Sequence, residues 1–107
     1  MQKLIVTRGI TVHGGDFRTG GGHRFVSIRG VASLRLRTER HRWFGERIDL
    51  SQLETLEHYA DAMVKTTLFT SIEHVTFIAK FKDGRRLFAT SDQRTFARLQ
   101  AAVGRPA

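Results

Sequence analysis

Apolar and polar residues alternate most clearly in two places along the chain. Across 31–38, Ala32, Leu34 and Leu36 fall on one side of an extended backbone and Ser33, Arg35 and Arg37 on the other, the signature of a half-buried strand with an arginine-bearing outer face. Across 75–81, Val75, Phe77, Ala79 and Phe81 alternate with Thr76, Ile78 and Lys80, again a strand. Asp83-Gly84 follows, so a tight type I′ hairpin with a return strand over 86–90 is expected. Shorter strands are predicted at Leu4, Ile5 and Val6, at Ile10, Thr11 and Val12 beyond a break at Arg8-Gly9, and over 24–28, where Arg29-Gly30 ends the run.

Two stretches carry helical spacing instead. Leu53, Leu56, Ala60, Met63 and Val64 recur at intervals of three and four, and Ser51 with Glu54 forms a capping-box pattern, which predicts a helix over about 52–66. Thr66, Thr67, Thr70 and Ser71 are its stop signals. A second helix is expected over about 93–103, capped by Ser91 or Asp92, buried through Phe96, Leu99 and Val103, and stopped by Gly104 and Pro106. Five glycines lie within 14–22, which reads as a mobile hairpin loop because glycine loses the most backbone freedom on ordering. No repeat or linker divides the chain, so 1–107 is expected to be a single α+β domain: a mostly antiparallel sheet or half-barrel of five to seven short strands, one helix inserted mid-chain and one closing the C-terminus.

Composition narrows the function classes. At 40% hydrophobic and 26% charged residues, the chain lies far from the composition of disordered segments. It has no cysteine, which excludes disulfides, thiolate nucleophiles and Cys-ligated zinc. The first eight residues hold only three consecutive apolar ones, unlike a secretory signal, and no run approaches the ~18–20 apolar residues of a spanning helix. A cytoplasmic protein without membrane insertion is the expectation.

Charge changes the picture most. Eighteen Lys and Arg stand against ten Asp and Glu, a net +8. Residues 18–47 hold eight Arg and two acids, whereas 48–73 hold five acids and one Lys. A basic sheet side and an acidic helix side follow, and such a surface favours polyanions.

The candidate binding residues are Arg35, Arg37, Arg40, Arg42, Trp43 and Arg47, because guanidinium forks grip phosphates and exposed rings stack on bases. The competing reading buries Trp43 and Phe44 in the core and leaves the arginines solvated or paired with Glu39 and Glu46. Arg18, His23 and Arg24 beside the glycines form a second candidate, an anion-binding loop, although the GxxxxGK[ST] pattern of a phosphate loop is absent. The five histidines form no H-E-x-x-H pair, and the serines and acids near helix starts have capping roles, so no catalytic residue, metal site or cofactor is assigned. A small-molecule ligand has no motif to support it.

Two stretches, Gly9-Ile10-Thr11-Val12 with 24–35 and 75–84 with its return strand and closing helix, resemble bacterial pleckstrin-homology-like domains over about half the chain. The resemblance implies a bent antiparallel sheet or half-barrel capped by the C-terminal helix, and a binding rather than enzymatic role. It departs from that family where the helix over 52–66 stands in place of a continuing sheet, and no lipid-binding residue carries over. The expected function is a non-catalytic interaction module with a protein partner or a second copy of itself; the alternative is a nucleic-acid-binding protein using the patch at 35–47.

Overall fold

The computed structural model describes residues 5–65 and 71–103, with side-chain surroundings for 7–61 and 73–103. Leu4 and the stop signals Thr66, Thr67, Thr70, Gly104 and Pro106 lie outside the described residues.

Seven strands form one antiparallel sheet: β1 (Ile5–Gly15), β2 (Gly20–Ile28), β3 (Val31–Leu36), β4 (Glu46–Asp49), β5 (Leu53–Lys65), β6 (Ser71–Phe81) and β7 (Arg86–Asp92). One helix, α1 (Gln93–Val103), closes the C-terminal side. The strand order is β4-β3-β2-β1-β7-β6-β5, so β4 and β5 are opposite edges. Yet only the single 3-10 turn Leu50–Gln52 joins them. Three residues cannot span seven flat strands at ~4.8 Å spacing, so the sheet curls into a half-barrel that brings its edges together. Its concave side holds the core, including Phe25, Leu34, Leu36, Phe77, Phe81, Leu87 and, from α1, Leu99.

The alternation read over 31–38 and 75–81 holds: Leu34 and Leu36, and Val75, Phe77, Ala79 and Phe81, are all buried. Arg29 and Gly30 both take positive φ (52° and 83°) between the paired Ile28 and Val31, which makes a two-residue type I′ hairpin. The Asp83-Gly84 hairpin also forms, with a different turn. Asp83 does not take positive φ; the Gly84 amide donates to the Phe81 carbonyl and Gly84 alone is left-handed (φ 95°). That is a type I turn followed by a glycine bulge. The helix over 93–103 is present, and Asp92 caps it by accepting the Thr95 amide at 3.3 Å.

Three expectations are corrected. The helix predicted over 52–66 is strand β5, and the capping-box residue Ser51 sits in the 3-10 turn while Glu54 pairs with Lys80. The misleading periodicity has a physical source. Register shifts between Leu53 and Thr55 and between His58 and Ala60 each give β5 one extra residue against β6. The residues opposite buried Phe81, Ala79, Phe77 and Val75 are therefore Leu53, Leu56, His58 and Asp61. Bulges stretch a spacing of two into three, which imitates a helical face.

The break at Arg8-Gly9 is absent, because Gly9 pairs with Arg24 inside the continuous strand β1. The glycine-rich segment is not a mobile loop either. Gly14 and Gly15 end β1, Gly20, Gly21 and Gly22 open β2, and only residues 16–19 turn between them. Phe17 at that turn is buried, edge-on to Phe81, and the Asp16 amide donates to the Arg86 carbonyl at 2.9 Å.

Candidate functional site

The outer face of β2, β3 and β4 aligns three arginines. Arg24 pairs with Arg35 and Arg35 with Arg47, so three guanidinium groups cross three neighbouring strands in one row. Strand spacing puts them within ~10 Å. Like charges directly opposite one another destabilise a sheet unless something anionic relieves them. Among the described residues, Asp49 pairs with Arg47 at 3.3 Å and no carboxylate pairs with Arg24 or Arg35.

Next to this row lies loop 37–45, which joins β3 to β4. Two of the predicted arginines build it from below. Arg35 donates to the Phe44 carbonyl at 3.2 Å, and Arg37 donates to the carbonyls of Arg42 (2.7 Å) and Gly21 (3.1 Å). The Thr38 hydroxyl accepts the His41 amide at 3.1 Å, and Gly45, at φ 78°, lets the chain turn into β4 against Arg35 and Leu36. Held this way, the loop presents Trp43 and Phe44 at 86% and 84% exposure. The reading that put both rings in the core is overturned. Among the described residues, Arg24, Arg40 and Arg42 have no ion-pair partner, and all three are exposed.

The two clusters that looked separate in sequence meet in space. A shallow groove of about 450 Å³ has Gly9 and Gly22 on its floor and Arg24, Arg37, Arg42 and Trp43 around it. No side chain stands over Gly9, whereas Arg37 lies across Gly22, with its guanidinium and Cδ 3.0 Å from where a Cβ would project. Gly9 and Gly22 belong to the site and no motif pointed to them; only the β1–β2 register brings them beneath the arginines.

Arg18 and His23 have other duties. The Arg18 guanidinium lies 3.9 Å from Glu39, and its amide donates to the Arg37 carbonyl at 2.9 Å. His23 is buried, accepts the Arg37 amide at Nδ1 (3.0 Å) and donates from Nε2 to the Arg18 carbonyl (2.7 Å). Because an amide N–H points at Nδ1, the proton must sit on Nε2, and a doubly protonated ring has no place here. Burial lowers the pKa of His23 below its ordinary 6.5, with the Arg37 charge adding to the shift and the bond to the Arg18 carbonyl opposing it. His23 is thus a neutral rivet between loop 16–19 and loop 37–45.

A pH prediction arises from this rivet. The folded pKa is depressed, so above about 6.5 both folded and unfolded forms are neutral and the stabilisation is complete. As pH falls below that value the unfolded chain takes up the proton first, and stability is lost. His23→Gln offers an amide oxygen and an NH2 group in similar positions but does not titrate. Its unfolding free energy, measured by urea denaturation, should fall less between pH 7.5 and 5.5 than that of the parent. Parallel slopes for the two proteins would discard the assignment.

Two other histidines have partners in the fold. His13 bonds to Thr90 (2.7 Å), and His58 bonds to Asp61 (2.7 Å) and lies beside Phe96. Among the described residues, no three His, Asp or Glu side chains converge where they could hold a metal ion. The acids expected on a helix have moved. Glu54, Glu57 and Asp61 lie on edge strand β5 rather than on a helix. No helix among the described residues is long and apolar enough to cross a membrane. Comparison with protein-family models, with curated proteins and with solved structures finds no match.

Proposed function

We propose that the protein is a non-catalytic binding module that takes single-stranded nucleic acid across the Arg24–Arg35–Arg47 row and the Arg42–Trp43 groove. The observation carrying this reading is the exposure of Trp43 and Phe44 beside a row of arginines that the protein itself leaves largely unneutralised. Phosphates relieve the repulsion in the row, and an unshielded indole gives a base a face to stack on. A lone cationic patch would attract any polyanion; the ring beside it favours unpaired bases over a duplex, whose bases are already stacked. The absence of cysteine and the expected cytoplasmic setting are compatible with such a ligand.

The resemblance to pleckstrin-homology-like domains forms part of the same proposal. A curled antiparallel sheet closed by a C-terminal helix supports it, and β5 now continues the sheet at the point where the predicted helix broke the likeness.

Trp43 is the only tryptophan, so its fluorescence reports directly on the site. Titration with a short oligothymidylate should quench it, and binding should weaken with salt at a logarithmic slope of about −0.7 per phosphate contacted. The test variants avoid Arg35 and Arg37, which hold the loop. Arg24→Ala with Arg42→Ala should shallow the slope by about 1.4. Trp43→Ala, followed by anisotropy of a labelled oligonucleotide, should cost about 1–3 kcal/mol of binding. Absence of salt-sensitive binding to single strands, or binding that these variants leave unchanged, would overturn the proposal.

A further inference from the structure

The convex face of β1, β7, β6 and β5 lies away from the arginine row and has an order of its own. Four cross-strand rows follow one another along β7 and β6: Arg86 with Lys80, Phe88 with Ile78, Thr90 with Thr76, and Asp92 with His74. His13 and Tyr59 widen the second row, with ring centroids 5.4 and 5.3 Å from Phe88. Thr11, paired with Thr90, and Ala60, paired with Thr76, widen the third. The face therefore reads cationic, large and aromatic, small and hydroxylic, then a row containing an acid. In a chain with net +8, the two middle rows carry no charge apart from Glu57 beside Ile78 at the β5 margin. Tyr59 is 63% exposed. Depletion of charge together with exposed aromatic rings is what distinguishes the centre of a protein interface from ordinary surface.

The order of the rows identifies the occupant. A two-fold axis lying in the plane of contact, parallel to the rows and between the second and third, exchanges the large row with the small one and the cationic row with the row of Asp92. Each copy's rings then lie over the other's threonines, and Arg86 approaches the partner's Asp92, whose charge its own Arg8 already shares at 3.5 Å, so the surface complements itself more fully in shape than in charge. The Thr76 and Thr90 hydroxyls bond to each other (2.8 Å) and His13 bonds to Thr90 (2.7 Å), which leaves the small row internally satisfied and cheap to desolvate. We infer that this face is a homodimer interface. Four strands at ~4.8 Å spacing and the length of β7 at ~3.3 Å per residue give on the order of 400 Å² per copy. That is about half the area of a standard stable interface, so the dimer is a reversible one that dissociates on dilution.

The experiment is sedimentation velocity on the full chain without nucleic acid, across a dilution series from roughly millimolar to below micromolar, the range expected for an interface this small. The parent should pass from dimer to monomer. Tyr59→Arg and Thr11→Arg, both at exposed positions, should each raise the dissociation constant by about tenfold or more, with circular dichroism unchanged. Arg24→Ala, on β2 and outside these rows, should leave it unmoved. A chain that is monomeric at every concentration overturns the inference, as does a dimer indifferent to both Tyr59→Arg and Thr11→Arg. Neither result touches the nucleic-acid reading, which is measured at Arg24, Arg42 and Trp43.

Discussion

Replacing Gly15 with alanine is expected to cost about 3–5 kcal/mol of folding stability, from backbone strain of ~1–2 kcal/mol together with lost hydrogen bonds of ~1 kcal/mol each and partial unseating of a buried ring. Gly15 stands at φ 98°, and a Cβ there would lie 2.2 Å from the Arg86 carbonyl oxygen and 2.9 Å from its carbon. Both atoms are backbone, so no side chain can swing aside. The clash falls where β1 hands over to the turn: Gly15 pairs with Leu87, the Asp16 amide donates to the Arg86 carbonyl, and the Asp16 carboxylate accepts the Arg86 amide at 2.8 Å. Moving Arg86 away breaks these bonds and loosens buried Phe17 from Phe81. Against a typical total of about 5–15 kcal/mol, this is a large fraction, and the melting temperature should drop by roughly 15–25 °C. Gly21→Ala is the matched control, since nothing lies within 4 Å of its missing Cβ and its backbone needs no positive φ. Thermal and urea denaturation of the two variants make the comparison; a Gly15→Ala protein as stable as the Gly21→Ala protein would show that the close approach is not real.

That glycine also shows why part of the fold was legible in the sequence and part was not. Five glycines within 14–22 have one compositional meaning, conformational freedom, and two structural uses. They can leave a loop loose, or they can let two backbones touch. Only the partner strand decides between these, and β7 is seventy residues away. The same limit acts on β5. Leu53 and Leu56 fall three apart, as on a helix, because a bulge displaces the inward positions, and a bulge is a property of the β5–β6 pairing rather than of β5 alone. Strands β3, β6 and β7, which carry no extra residue, were readable from alternation, as were the Asp83-Gly84 hairpin and the Asp92 cap, because each depends on residues that are neighbours in the chain.

The site divides along the same line. Arg24, Arg35, Arg42, Trp43 and Arg47 do share one region of surface, and residue type was enough to nominate them. Which arginines are free was hidden, since Arg35 and Arg37 are committed to carbonyl oxygens of loop 37–45 and of Gly21, groups that every residue possesses and no motif marks. His23 was nominated as an anion ligand and serves instead as a buried neutral bridge; its surroundings come from residues five behind and fourteen ahead. Chemistry written in side-chain type could be read, whereas chemistry written in backbone atoms needed the fold.

The second large effect is expected at the clasp between Glu46 and Arg85. Arg85 donates two parallel bonds to the two Glu46 oxygens, at 2.9 and 2.8 Å, from the β6–β7 turn to edge strand β4. Its Nε donates to Asp83 at 2.8 Å, and its guanidinium lies over the Phe17 ring, 5.2 Å from the centroid. One side chain thus ties together β4, the β6–β7 turn and the buried ring of loop 16–19, at an end of the half-barrel where β4 has no strand partner on its outer side. Arg85→Ala removes the fork, uncovers Phe17 and leaves Glu46 unpaired. With both side chains about a third exposed (28% and 31%), screening trims the gain, and a loss of about 2–3 kcal/mol is expected. Glu46→Gln keeps the shape and one bond and should cost about half as much; the double variant should fall short of the sum by about 1 kcal/mol. The bonds from Arg85 hold the Glu46 carboxyl below its ordinary pKa, more than partial burial raises it. A depressed carboxylate stabilises fully above its unfolded value of about 4.3 and ceases to do so as pH falls through the lower folded value. Between pH 5 and pH 3 the parent should therefore lose more stability than Glu46→Gln, measured by denaturant unfolding at each pH. Additive single variants, or equal acid losses, would mean that the fork contributes nothing and that β4 is held to the half-barrel by its pairing with β3 and the packing of Ile48.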